Sequence, residues 1–386
     1  MSLVLSEEET MIRDTANDFL SENAGPDMLR KLRDQDDPCG YSKVLWEKMA
    51  DLGWPSLLIP EEFGGLDFSH TAMGQITQQV GVHLATTPLF STGILAAEVL
   101  KKSKVNKNKE KLLPLIAEGK VKIAVALEEG SRYEPAVINT RLDSSSNGYL
   151  LNGNKRNVLD GGLADYLIVV CRHTRKGEHI QGDLGFLILD ANKTGIEIKN
   201  NMLIDSRMAS IVTFNNVEIL EDEILKFEQT PELILENLLS TANVYLSAEL
   251  LGVSQKAFEL TIEYLKTRTQ FGVKIGSFQA LQHRASHLWA EIELCKSIVL
   301  KALRALDRNS DDIAKLSSFA KAKTSKISEV ATNEGIQMHG GIGMTDEFYM
   351  GFYLKRARVA QMLFGDWKYH TLSLIHISEP TRRILI

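Results

Sequence analysis

Residues Thr267–His283, "TRTQFGVKIGSFQALQH", gather groups better suited to holding a ligand than to filling a core. Arg268, Lys274 and His283 are cationic or can become so. Gln270, Gln279 and Gln282 carry carboxamides, and Phe271 and Phe278 carry rings, all around two glycines. A plainer reading is also open, with Phe271 as core and Arg268 as a surface ion-pair former. A second segment, "IQMHGGIGMTDE" (Ile336–Glu347), closes one helical pattern with two glycines that allow close backbone approach. It then opens another whose N-terminus can face an anion. A third, "GWPSLLIPEEFGG" (Gly53–Gly65), ends the first helices with a Pro-Glu-Glu turn and a glycine pair. No G-x-G-x-x-G follows a strand and no P-loop is present, so Rossmann and Walker sites are not supported. His339 and Asp346 are near in sequence, but without H-E-x-x-H or clustered Cys/His no metal site is expected.

The hydrophobic period that must position these segments changes twice. Ser6 and Glu9 form a capping-box pattern, with Ile12, Ala16, Phe19 and Leu20 following at helical spacing. "YSKVLWEKMADLG" predicts a second amphipathic helix that stops at Gly53. Further helical patterns cover roughly 70–84 and 92–102. "KKSKVNKNKEK", with six lysines, reads as a solvated inter-helix loop, or else as a patch that steers an anionic ligand. From about Val121 six short β-branched or alternating runs, punctuated by Gly, Asn and Asp, predict an antiparallel barrel or sandwich. Helical spacing returns near Pro231 in four long patterns, about 232–266, 277–308, 311–339 and 345–371. The expected fold class is multi-domain α+β. It comprises an N-terminal helical domain (1–120), a central antiparallel β domain (121–230) and a C-terminal four-helix bundle (231–371). Residues 372–386 resemble translated adapter read-through and are expected to be a non-native tail.

Composition excludes several function classes. The 386 residues, 44% hydrophobic and 24% charged, can bury roughly 75% of their unfolded surface in two or three domains. A net charge of −6 argues against a nucleic-acid partner. Cys39, Cys171 and Cys295 are odd in number and widely spaced, which suggests neither a disulfide framework nor a zinc site. The acidic start, "MSLVLSEEETMIRD", has no cationic n-region. No apolar run approaches the ~18 residues of a membrane span. A soluble, cytoplasmic location is therefore expected.

The three singled-out segments, in this order, resemble the acyl-CoA dehydrogenase family of flavoproteins from about residue 5 to 371. "RTQFGVKIGSFQ" matches the family's central motif almost position by position, "QMHGGIG" the later one, and "DSRMASIVTFNNVEI" the closing β-domain strands. The resemblance implies that Arg268 and Phe271, with Gln270 and Gln279 beside them, reach across a subunit interface to the FAD of a neighbouring protomer. Arg268 would offer its fork to the pyrophosphate and Phe271 its face to the adenine. Gln337, Gly340 and Gly341 would receive the adenosine end. A dimer or tetramer is thus implied, homomeric or with a paralogue. So are an acyl-CoA substrate and electron-transfer flavoprotein as acceptor. The implied reaction is α,β-desaturation, in which a carboxylate removes the α-proton while a hydride leaves the β-carbon for flavin N5. The base works in a dry pocket and the enolate oxygen is stabilised by hydrogen bonds.

Several positions depart from the family pattern. "LFGDW" stands where members carry "YEGT", so Phe364 replaces the usual glutamate base and Asp366 the threonine. Ala242 occupies the second known base position. Asn157 replaces a flavin-lining aromatic, Leu159 the hydroxyl residue near N5, and "EEGSRYEP" the usual "GAGSD" loop. Glu249 is the leading substitute carboxylate. It lies seven positions after Ala242, two helical turns or ~10 Å along the axis on the same face. A carboxylate at such a core-facing position is either functional or bonded to an internal cation. Asp366 is the second candidate, although it would point elsewhere on a helix. Three readings stand: an active dehydrogenase with a relocated base, a half-site subunit of a heteromeric dehydrogenase, and a related flavoenzyme with a non-thioester substrate.

Overall fold

The computed structural model describes residues 3–35, 39–145, 148–174 and 182–378. In chain order its helices are α1 (Glu7–Asn23), α2 (Pro26–Asp34), α3 (Lys43–Asp51), α4 (His70–Val82), α5 (Ala97–Lys102), α6 (Lys107–Ala117), α7 (Pro231–Thr267), α8 (Gln279–Asp307), α9 (Ile313–His339), α10 (Met350–Met362) and α11 (Trp367–Ser378). The strands are β1 (Ile123–Ala126), β2 (Arg141–Ser145), β3 (Gly148–Leu159), β4 (Tyr166–Thr174), β5 (Leu184–Asp190), β6 (Ile196–Met202), β7 (Met208–Ile219), β8 (Ile224–Leu225), β9 (Thr269–Gln270) and β10 (Val273–Lys274). They follow the order expected of the fold class: helices, a central β domain, then helices. The chain forms two compact units.

One unit joins the residues up to Lys31, His70–Ala85 and everything from Leu239 onward. Its first helix starts as the sequence predicts, with Glu9 N donating to Ser6 Oγ and Ser6 N to a Glu9 carboxylate oxygen. Helices α4 and α7 approach to backbone contact. A Cβ on Gly81 would lie 2.1 Å from the Glu249 carbonyl oxygen, and one on Gly252 would lie 1.9 Å from that of Gln78. Only glycine fits at either crossing point, and the crossing fixes where the Glu249 side chain begins. Val253, Ala257, Met350, Phe352, Tyr353, Ala357, Leu29 and Leu84 form a core cluster beside it. The helical pattern expected over 345–371 is two helices, α10 and α11. They are broken at Leu363–Asp366, where Phe364 (φ +55°) and Gly365 (φ +93°) turn left-handed. Helix α11 continues past Thr371 to Ser378, and the rest of the segment set apart on sequence grounds lies outside the described residues.

The other unit, built from 32–69 and 86–238, holds the β domain. Eight strands form one sheet in the order β6-β7-β3-β2-β4-β5-β8, with β1 added beside β4. Most pairings are antiparallel, as expected, but β1–β4 and β2–β4 are parallel. The sequence reading missed β2 and β8, which are too short and too polar or isolated to alternate clearly. Inward residues such as Leu151, Val169, Leu187, Val212 and Phe214 make the core. Leu89–Ala96 winds as a π-helix, a form often found at functional positions. No described helix is long and apolar enough to cross a membrane.

Candidate active site

The Arg268 segment is an ordered arm that buries almost nothing. Helix α7 ends at Thr267, and β9 and β10 pair as a hairpin whose turn is Phe271-Gly272. Both turn residues have positive φ, +53° and +78°, the twist that suits a two-residue hairpin. Glycine takes that geometry freely, whereas a phenylalanine there is strained. Lys274 Nζ donates to Thr267 O at 2.6 Å, and Ile275 N to Arg268 O at 3.0 Å, so the arm is braced at its base. Yet Phe271 is 90% exposed, with only an edge contact to Phe278 at 6.3 Å. Arg268, Gln270 and Gln279 are exposed as well. A strained, braced and uncovered ring is a poor core residue, and the plainer reading of Phe271 as core does not hold.

The glycine segment sits at the same end of this unit. His339 stacks between Tyr264 of α7 and Phe348, with ring centroids 4.4 Å from each. Its Nδ1 lies 2.6 Å from Gly335 O, and burial pushes its pKa down. The histidine is therefore a neutral packing residue that joins the end of α9 to the end of α7. Gln337, Gly340 and Gly341 lie beyond it on the surface. A Cβ on either glycine would meet nothing, so they face open space rather than a close backbone approach within this chain. The two segments thus lie at the same end of α7, both uncovered. Their donors suit FAD: a guanidinium for the pyrophosphate, a free ring for the adenine, and carboxamides for polar edges. This chain would hold the cofactor with Arg268, Gln270, Phe271, Gln279 and the Gln337–Gly341 turn.

The candidate carboxylates are engaged. Glu249 is 3% exposed and Arg356, from α10, is fully buried; Arg356 Nη1 lies 3.2 Å from Glu249 Oε1. The same guanidinium donates to Ala85 O at 3.1 Å and Leu84 O at 3.4 Å. Nothing local in the sequence marked Arg356, which lies 107 residues away. Its "LKRAR" neighbourhood reads as an ordinary cationic helix. Asp366 caps α11, accepting from Tyr369 N at 2.8 Å. Phe364 is buried at the turn, and Ala242 is fully buried.

In the β-domain unit, Asn157 is left-handed at φ +52° and donates to Glu128 at 2.9 Å. Beside it the buried Lys155 donates to Glu129 at 2.6 Å and to Leu127 O at 3.0 Å, which fixes the altered loop after β1. The sequence reading also missed Asp160. It too is left-handed, accepts from Ser91 Oγ of the π-helix at 2.5 Å, and is pushed up to about 6 by burial. In the lysine-rich stretch three of the six lysines are paired with carboxylates. Lys101 and Lys102 pair with Glu98, Lys104 with Glu228, and Lys109 donates to two backbone carbonyls. Among the described residues no group of three or more His, Cys, Asp or Glu could hold a metal.

Comparison with known proteins identifies the family and the fold. The chain matches family models for the acyl-CoA dehydrogenase N-terminal domain over 6–120, middle domain over 124–217 and C-terminal domain over 233–375. It is 26% identical to acyl-CoA dehydrogenase IpdE2 of Mycolicibacterium smegmatis, covering 94% of this chain and 96% of that protein. It is 27% identical to caffeyl-CoA reductase-Etf complex subunit CarC of Acetobacterium woodii, covering 94% and 96%. Among solved structures, the Tcur3481-Tcur3483 steroid ACAD superposes with a TM-score of 0.86 at 25% identity, covering 97% and 99%. Three domain matches in sequence order, carried on this arrangement of helices and sheet, place the chain in the acyl-CoA dehydrogenase family, flavoprotein oxidoreductases that use FAD and act on CH–CH groups.

Proposed function

We propose that this chain serves FAD-dependent α,β-desaturation of an acyl-CoA thioester within an oligomer, its Arg268–Phe271 arm engaging cofactor at a subunit boundary. The supporting observation is the arm itself, with Phe271 braced in a strained turn and 90% exposed. Bound FAD would accept the hydride released from the β-carbon. The chain's own residues would bind and orient: Arg268 as a planar fork for phosphate oxygens, Phe271 as a flat apolar face, and Gln337 to Gly341 as an uncovered turn. Electrons would pass on to electron-transfer flavoprotein, a partner suggested by the CarC relative's name.

Glu249 is the proposed base if the α-proton is taken by this chain. For that the carboxylate must release Arg356, whose buried guanidinium would lose its carboxylate contact and keep neutral acceptors such as Ala85 O and Leu84 O. Such an arrangement is costly. This ion pair favours a second reading, in which the chain completes the site of a paralogue that carries the carboxylate. Asp366, already used as a cap, gives no alternative. Relatives include a protein described by two chain names together, Tcur3481-Tcur3483.

Anaerobic reduction of the purified protein by CoA thioesters of varied size tests the proposal. Flavin bleaching by the chain alone supports a base within it. Bleaching only after addition of a paralogous subunit supports the second reading. A protein that stays colourless with added flavin, alone and with such a subunit, refutes both. Under the first reading Glu249→Gln retains FAD and lowers the reduction rate by ~100-fold or more, the scale of a lost acid–base group.

A further inference from the structure

One buried cation takes up most of the carbonyl groups around the turn between α10 and α11. Lys321, on α9, is wholly buried. Its Nζ, with three N–H groups to share, lies within hydrogen-bond distance of Ala360 O at 3.0 Å, Gln361 O at 3.1 Å, Leu363 O at 2.7 Å and Gly365 O at 3.0 Å. From the other side His370, on α11, places Nε2 2.9 Å from Phe364 O. Burial and the Lys321 charge push His370 down to about 4. At neutral pH its ring is therefore uncharged, and Nε2 carries the proton it donates. Gln361 adds a second tie to α9, donating to Ser325 O and Ser328 Oγ, each at 3.0 Å.

Capping alone does not account for this arrangement. Ala360 and Gln361 are among the last carbonyls of α10, where a cation is favoured. Leu363 O and Gly365 O lie past the helix end, so the ammonium reaches beyond the cap and grips the turn itself. That turn holds a bulky residue, Phe364, in left-handed geometry, which persists only where surroundings impose it. We propose that Lys321 is the positioning residue of the Phe364–Asp366 turn, the segment that the family resemblance sets where the base would stand, and that holding this turn in one conformation sustains turnover of the acyl-CoA. The proposal rests on the acyl-CoA reading above.

Lys321→Met keeps the apolar stem and removes the ammonium. In the flavin-loaded assembly the expected result is unchanged flavin content and faster amide exchange confined to Phe364–Trp367. His370 should titrate nearer the ordinary imidazole range by NMR, since a charge that depresses it is gone. kcat with an acyl-CoA should fall about 10- to 100-fold with KM little changed, the cost of a misplaced turn. Unchanged exchange and an unmoved His370 overturn the proposal, as does an unchanged kcat beside faster exchange. Should Lys321→Met not fold, His370→Gln loosens the same turn by releasing Phe364 O. An unaltered kcat there, with exchange raised, is equally fatal. If the parent assembly is reduced by no thioester, the acyl-CoA reading fails instead, and exchange with His370 titration still judges the grip on the turn.

Discussion

Replacing Arg356 with methionine strips the counter-charge from Glu249 at a point that water does not reach. The two side chains are 0% and 3% exposed, and the charged atoms lie 3.2 Å apart. At an effective dielectric of 20 their attraction is about 5 kcal/mol. Removing one partner from such a buried pair costs about 3–5 kcal/mol, because the other is stranded. Arg356→Met and Glu249→Gln should therefore each destabilise by that amount. The double variant leaves no charge to strand, and should recover at least about 2 kcal/mol of the summed loss. Urea unfolding followed by circular dichroism reads these differences as shifts in midpoint at constant slope. In thermal scans, at about 2–4 °C per kcal/mol, each single variant should lose roughly 6–20 °C. If the single losses add to within about 0.5 kcal/mol, the two residues do not form the ion pair. The base argument built on that pair then falls with it.

Phe271→Ala should leave unfolding of the isolated chain within about 0.5 kcal/mol of the parent, as expected for a side chain 90% exposed. It should lower flavin retention and weaken the oligomer on size exclusion; unchanged values for both would show that the ring touches neither. Arg268→Ala should reduce bound flavin more than it alters protomer folding, read by absorbance per chain, and a fully flavinated variant would count against the contact. Buried histidines and the buried Asp160 should respond to acid in opposite directions. His83 and His370 are both pushed down to about 4 by burial, so the first unit loses stability as pH falls from about 6.5 to about 4. Asp160 is pushed up to about 6, so it binds an extra proton when folded and contributes a gain in stability as pH falls from about 6 to about 4, opposed in the same unit by His173, which burial pushes down. Asp160→Asn should remove that gain. Hydrogen exchange resolved by unit across this range checks both signs.

Local pattern revealed the elements and hid the pairings between distant ones. Ser6 and Glu9 are three apart, and the box they form could be read before any tertiary contact was known. The Arg268 arm was legible for a similar reason: its cationic, carboxamide and aromatic residues cluster within one short stretch of chain. Glu249 was legible as a carboxylate among apolar neighbours, but the nature of its partner was not, because Arg356 arrives from another helix. Lys321 carried no signal either, since a lysine in "SFAKAKTSK" reads as solvated surface. Its burial depends on carbonyls some forty residues on. The break at Leu363–Asp366 was overlooked because helical spacing continues across it. A left-handed phenylalanine is imposed by tertiary contacts and leaves no mark on periodicity. Strand β2 pairs in parallel with β4, and that register depends on the whole sheet.

A hairpin already stiff before anything covers it has spent its ordering entropy during folding, so docking need not supply it again. The same stiffness leaves a lone copy unable to tuck its aromatic tip away. If the proposed oligomer forms, a chain without its neighbour would keep the Phe271 ring in water. On the oligomer reading, covering that ring falls to the neighbouring subunit alone.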